Sequence, residues 1–280
     1  MNKAYTLSNE TDMKVTVVIP HYNSLGTLWN LLSQLKEDQF DQIIVLDDCS
    51  DTKPTKLEAE FPSVMFYYGE ENVGAGANRN RVLKLVDSGV VWFIDADMEI
   101  VSHENAKRLK KLFAHEPAQM VGGQIYTKLG QQMGWNYGHE MHPVHDARFE
   151  ELVASLAGDA SVWSRLQQHG WDYPWLRPGL GEVVKRSVDW VAEGSFALPI
   201  ELFHTIGGYD TAFRYHEGQD LAKRVRAQGV DVKTMPDLIT RHLEVDVRGK
   251  KRAEEFQDST YLFFQKHWGM SREVYTLLYS

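Results

Sequence analysis

Cysteine is nearly absent. Cys49 is the sole one in 280 residues, so no disulfide can close within the chain. Such usage fits a reducing compartment. No apolar run approaches the roughly 18 to 20 residues that a membrane-crossing helix requires. Met1 to Asp12 is polar and has no hydrophobic centre of the secretory type, so the expectation is a cytoplasmic chain without a transmembrane segment. Positive charge is in deficit: 30 Lys and Arg face 39 Asp and Glu, a net charge of -9. No broad basic surface is available to neutralise a phosphate backbone, which excludes general nucleic-acid binding. Internal repeats and low-complexity tracts are also missing. With 43% hydrophobic and 25% charged residues, the composition is that of a globular chain able to bury a substantial core.

What is present is patterned. Val90-Val91-Trp92-Phe93-Ile94 is apolar throughout, as a strand covered on both faces must be. It ends in Asp95-Ala96-Asp97. Carboxylates at i and i+2 of a strand exit can aim oxygens at one hard cation, the donor set of Mg²⁺ or Mn²⁺. Acids also end strands for structural reasons alone. Upstream, Val15 to Pro20 is a second buried strand, followed by His21-Tyr22-Asn23. Ser24 to Leu35 has helical spacing of Leu25, Leu28, Leu32 and Leu35, with Ser24 predicted as N-cap. Ile43 to Leu46 is a third strand, ending in Asp47-Asp48-Cys49-Ser50, and Val64 to Tyr68 is a fourth. Asn72-Val73-Gly74-Ala75-Gly76 then opens a helix predicted to run to about Val86. Strand and helix alternate, which predicts an α/β fold with a mostly parallel sheet flanked by helices. Ligands of such sheets bind at the carboxyl ends of the strands, where every unusual polar cluster here falls.

These segments carry a family resemblance. Val17-Val18-Ile19-Pro20-His21-Tyr22-Asn23, Leu46-Asp47-Asp48-Cys49-Ser50-Asp51, Asn72 to Asn80 and Ile94-Asp95-Ala96-Asp97 resemble, in order and spacing, the motifs of family-2 glycosyltransferases with the GT-A fold. The match covers residues 14 to about 115. It resumes at Glu193 to Pro199, at Ile206-Gly207-Gly208-Tyr209-Asp210 and at Glu217 to Arg224. The resemblance implies a nucleotide-binding half over 14–127, an insertion over 128–187, and an acceptor-side half with C-terminal helices over 188–280, all in one domain.

The implied donor is a nucleoside-diphosphate sugar, with a UDP-sugar as the first choice. The resemblance places donor contacts on Pro20, His21, Tyr22, Asn23, Asp48, Asn72, Gly74, Arg79, Asp95 and Ala96, with Asp47 as the alternative to Asp48. Asp47 and Asp48 equally suit a turn capped before Ser50, and Asn23 equally suits a turn. Arg79 either meets anionic oxygen near a helix start or pairs with Asp95 or Asp97. The resemblance gives Asp97 the metal, Mn²⁺ or Mg²⁺, and puts a further ligand on His242. His139, His142 and His145 lack partner cysteines and the i, i+4 spacing of a zinc helix, so no zinc site is expected there.

The acceptor side departs from the pattern. Inverting members carry a Glu-Asp pair at this helix start, the aspartate being the general base. Here Glu217 matches the glutamate and Gly218 stands in the place of the aspartate. Glu217 and Asp220 are therefore the candidate bases, three apart on one helix face. Both also suit a first turn, where acids complement the helix dipole. A retaining enzyme, in which the leaving phosphate takes the proton, and a non-catalytic sugar-nucleotide-binding protein stay open beside inversion. A nucleotidyltransferase would need a glycine-rich basic loop after the first strand, and His21 to Ser24 is not one. Trp163, Trp171, Tyr173 and Trp175 suit stacking on a saccharide, glycan or glycoprotein acceptor, or packing of the insertion itself. Gly130 to Gly138 is a candidate lid. Lys251 to Trp268 is predicted helical, with Phe256, Tyr261, Phe264 and Trp268 on its packed face.

Overall fold

The computed structural model describes residues 10–133, 136–138, 183–243 and 252–279. The tryptophans at 135, 163, 171 and 175, together with Tyr173 and the 139–145 histidine group, lie outside the described residues. In chain order the elements are β1 (Val15–His21), α1 (Leu25–Leu35), β2 (Gln42–Asp47), α2 (Thr55–Glu60), β3 (Val64–Tyr68) and α3 (Ala75–Arg79). A 3₁₀ turn (Asn80–Lys84) follows, then β4 (Val90–Ile94), β5 (Met98–Ile100), α4 (Asn105–His115), β6 (Gln119–Thr127) and β7 (Tyr137–Gly138). After these come β8 (Trp190–Val191), β9 (Ser195–Pro199), α5 (Ile200–Thr205), α6 (Glu217–Arg226), β10 (Asp231–His242), α7 (Arg252–Trp268) and α8 (Arg272–Tyr279).

Eight strands form one sheet in the order β3-β2-β1-β4-β9-β6-β10-β5, and β7 and β8 form a separate pair. The β3 to β4 side is parallel, as expected. The middle is not: β9 runs antiparallel to both β4 and β6. The sheet is therefore mixed. That reversal carries the start of β9 to the exit of β4, with Ser195 opposite Ile94.

The alternation of side chains along each strand sorts the core into two layers. Val91 and Phe93 of β4 pack with Phe196, Leu198 and Phe203 on one face. Val90, Trp92 and Ile94 pack on the other with Leu28, Leu31, Leu32 and Leu35 of α1. The Phe93 and Phe196 rings stack at 5.0 Å between centroids. Ser24 precedes α1 as expected, but its hydroxyl makes no capping bond. The helix predicted to reach Val86 tightens after Arg79 into the 3₁₀ turn, where the Asn80 side chain bonds the backbone of Tyr209 in both directions.

Helix α7 fixes the head of α6. His216, at φ 62°, precedes α6 and is buried, with its Nε2 2.8 Å from the Thr260 hydroxyl and its ring 4.8 Å from Phe256. Burial pushes its pKa down to about 4. An unfolded histidine titrates near 6.5. The unfolded chain therefore binds the proton more readily, and the stability His216 contributes is complete above about pH 6.5 and lost as pH falls toward 4. The melting temperature should drop across that window. His216→Gln should flatten the drop, and an unchanged profile would contradict this role.

Candidate active site

Five strand ends and the start of α6 meet at one edge of the sheet. The floor is built from β1 and β2. His21 is buried, with Nδ1 2.8 Å from Asp47 Oδ1, while the Ser24 amide donates to Nε2 at 3.3 Å. Nε2 is thus the acceptor, and Nδ1 carries the proton donated to Asp47. Asp47 also accepts from the Ser50 hydroxyl at 2.6 Å and the Ser50 amide at 3.1 Å. Both side chains bond each other within the frame. Asn23 is likewise a turn residue. At φ 50° it exchanges hydrogen bonds with Asp51 at 3.0 and 2.9 Å. Pro20 is buried and Tyr22 half-buried beside it.

Asp48 reaches across to the next loop. Its two oxygens accept the amides of Val73 and Gly74 at 3.0 and 2.9 Å, and the Asn72 side chain donates to its carbonyl at 3.2 Å. Asn72, Gly74 and Asp48 are thus brought together. Gly74 holds φ 88°, which favours glycine, and a Cβ there would displace the Arg214 guanidinium. Arg214 in turn donates to the Val73 carbonyl at 2.6 Å.

The acids after β4 diverge. Asp95 takes a 2.5 Å bond from the buried Arg79, so the ion-pair reading of Arg79 holds in this structure. Asp97 turns the other way, its Oδ2 3.2 Å from His242 Nε2. Register places His242 there: it closes β10 opposite Met98 of β5, and the Leu243 amide bonds the Asp97 carbonyl at 2.9 Å. Ala96 lies buried between the two acids. Among the described residues, no three His, Cys, Asp or Glu side chains converge as a metal cage. Asp97 and His242 bring a carboxylate and an imidazole together, donors that could hold a divalent cation.

On the acceptor side the two candidate acids part company. Asp220 is fully buried and enclosed by the cations Arg224 at 2.8 Å and Lys266 at 2.7 Å and by the His267 ring at 2.8 Å. Burial pushes its pKa up, but the His267 bond and the charges of Arg224 and Lys266 outweigh that and hold it down to about 2. Asp220 joins α7 to α6. Glu217 is buried at the head of α6, facing Arg79 and one residue that the sequence reading assigned no role, Glu193.

Glu193 stands two residues before β9. It is held at the β4 exit because the Gly194 carbonyl accepts the Asp95 amide at 3.1 Å. Its carboxylate lies 3.6 Å from Arg79, and its side chain is 22% exposed. Burial, then the neighbouring Glu217 charge, raise its pKa to about 8 against the pull of Arg79. The Tyr209 hydroxyl is beside it, yet neither that hydroxyl nor the buried Glu193 Oε1 meets hydrogen-bond geometry. The signal in the sequence was paired: a glycine at 218 where a carboxylate was expected, and a glutamate in the strand segment that the topology brings opposite it.

A sheet edge of this kind, with acids and an arginine at the strand exits, suits an anionic diphosphate ligand. The sequence profile of glycosyl transferase family 2 matches residues 16–171. The chain belongs to glycosyl transferase family 2. Among curated proteins, it is 33% identical over 156 residues to the uncharacterized glycosyltransferase YfnE of Bacillus subtilis, a match spanning 52% of this chain and 37% of YfnE. Among solved structures, the fold is similar to GalNAc-T7 with UDP, GalNAc and Mn²⁺ (TM-score 0.64, 15% identity, 91% of this chain and 48% of that one). It is also similar to the mannosyltransferase PcManGT of Pyrobaculum calidifontis in complex with GDP-Man and Mn²⁺ (TM-score 0.57, 16% identity, 96% of this chain and 70% of that one). The fold is GT-A. No helix among the described residues is long and apolar enough to cross a membrane.

Proposed function

We propose that this protein transfers a sugar from a nucleoside-diphosphate sugar, a UDP-sugar before others, to a saccharide, glycan or glycoprotein acceptor, with inversion and with Mn²⁺ or Mg²⁺. The observation that carries the proposal is the placement of Asp48, Arg79, Asp95 and the Asp97–His242 pair along one edge of a GT-A sheet. Donor contacts fall to Pro20 and Tyr22 at the base, to Asp48 with the Asn72–Gly74 loop, and to Arg79, Asp95 and Ala96 toward the sugar. His21 and Asn23 shape that pocket through their backbone and frame bonds. Arg79 is held in place by Asp95, so its guanidinium is preorganised for anionic oxygen rather than recruited to it.

Asp97 and His242 would hold the cation. When bound, it stabilises the negative charge that builds on the departing nucleoside diphosphate. The acceptor's proton goes to the carboxylate cluster at the head of α6, on the side of Glu217 and away from Asp220. A neighbour of the same fold binds a GDP-sugar, so the base is an outcome of the test. UDP-glucose, UDP-N-acetylglucosamine and GDP-mannose, each with and without Mn²⁺, are screened by thermal shift. One of them should raise the melting temperature in Mn²⁺ and lose most of that effect in EDTA, because a ligand of the native state alone stabilises it. No shift with any nucleotide sugar would contradict the proposal.

A further inference from the structure

We propose that Glu193 is the group that takes the acceptor hydroxyl's proton, and that residue 218 is glycine so that Glu193 can stand at the transfer site. The inference rests on the sugar-transfer reading above and names the base within it. A Cβ on Gly218 would lie 2.4 Å from Glu193 Cγ, 2.7 Å from its Cδ and 3.0 Å from its Oε2. The Glu193 side chain therefore fills the volume into which any side chain at 218 would project. Gly218 has no positive φ, and a helix start carries no other need for glycine here. The close approach of Glu193 accounts for it.

Position separates Glu193 from its neighbours. Glu217 is only 5% exposed, whereas the Glu193 side chain is 22% exposed. Asp95 is bonded to Arg79. Glu193 Oε1 is buried 3.6 Å from Arg79, which leaves Oε2, on the side of Gly218, to take the proton. The groups facing Glu193 are Arg79, Asp95, Tyr209 and Glu217. Burial and the Glu217 charge raise its affinity for a proton well above that of an ordinary glutamate, toward the range in which a general base works best. In the step itself the acceptor O–H bond breaks and its proton passes to the Glu193 carboxylate. The acceptor oxygen forms the new bond to the anomeric carbon. The bond from that carbon to the diphosphate breaks, and its electron pair leaves with the nucleoside diphosphate.

The test reads nucleoside diphosphate released from UDP-glucose, UDP-N-acetylglucosamine or GDP-mannose in Mn²⁺, with water as the acceptor, in the full chain. Glu193→Gln should lower the rate by about 10² to 10⁴, the usual contribution of general base catalysis, with UDP affinity within about twofold of wild type. Glu217→Gln leaves Glu193 in place and should lose less. Gly218→Ala keeps the Glu193 carboxylate but displaces it, and should lose at least about tenfold although alanine suits a helix better than glycine. Glu193→Ala combined with Gly218→Asp returns a carboxylate to the vacated volume and should recover at least about tenfold over Glu193→Ala alone. If Glu193→Gln turns over within about threefold of an active wild type, or the double variant recovers nothing while folding normally, Glu193 is not the base and the transfer reading stands. If the wild type neither binds UDP or GDP nor releases either, both readings fall together.

Discussion

Asp97→Ala should lose donor turnover by about 10³-fold or more, a barrier increase of about 4 kcal/mol. The fold should survive the change. Asp97 lies beyond the last residue of β4, outside the apolar layers, and its side chain meets His242 rather than the core. Its melting temperature in EDTA should therefore match that of wild type within a few degrees. The wild type should lose activity in EDTA and regain it with Mn²⁺ or Mg²⁺, while Asp97→Ala should gain nothing from either ion. Normal turnover in the variant, or full wild-type activity in excess EDTA, would remove the cation from the account. His242→Ala should behave alike but more mildly, because one anionic ligand remains.

Asp220→Ala should be the most destabilising change at the site, by about 3 to 5 kcal/mol, since removing one member of a buried ionic cluster leaves the others unpaired. Here Arg224, Lys266 and His267 would all lose their common anion. The damage should spread, because the cluster joins α6 to α7. The sign of the pH dependence follows from the depressed pKa. The stabilisation is present above about pH 4, where the unfolded aspartate ionises, and is lost as pH falls through about 2. Urea denaturation at pH 7 measures the difference directly. A loss below about 1 kcal/mol would show that the cluster is not a clamp.

Much of the first half was legible because buried parallel strands are apolar along their whole length. Val15 to Pro20, Ile43 to Leu46, Val64 to Tyr68 and Val90 to Ile94 all fall within strands of the structure. The helix at 252–268 was legible for the same kind of reason, through its spacing, although Phe263 is more buried than the expected Phe256. The direction of β9 was not legible. A short apolar run such as Ser195 to Pro199 has no direction of its own; direction depends on how the chain returns to it. The length of β10 was obscured by Pro236, which cannot donate to the ladder and sits where the register shifts between Met235 and Ile239.

Within the site, residue types were easier to read than orientations. Asp95 and Asp97 leave β4 through a turn, and there Asp95 bonds Arg79 while Asp97 meets His242. His21 and Asp47 follow strands as candidate donor contacts, and in the structure they bond each other. Glu193 was hidden because its meaning lies in a contact with Gly218, 25 positions away in sequence and adjacent only once β9 and α6 are in place.

The central claim is that this sheet edge binds a nucleoside diphosphate through a divalent cation. Titration calorimetry of UDP, and separately GDP, into the wild-type protein tests it most directly. Binding of at least one nucleotide in Mn²⁺, weakened at least about tenfold in EDTA and likewise by Asp97→Ala, is the predicted result. No binding of either nucleotide in Mn²⁺, or an affinity that EDTA leaves unchanged, would contradict it.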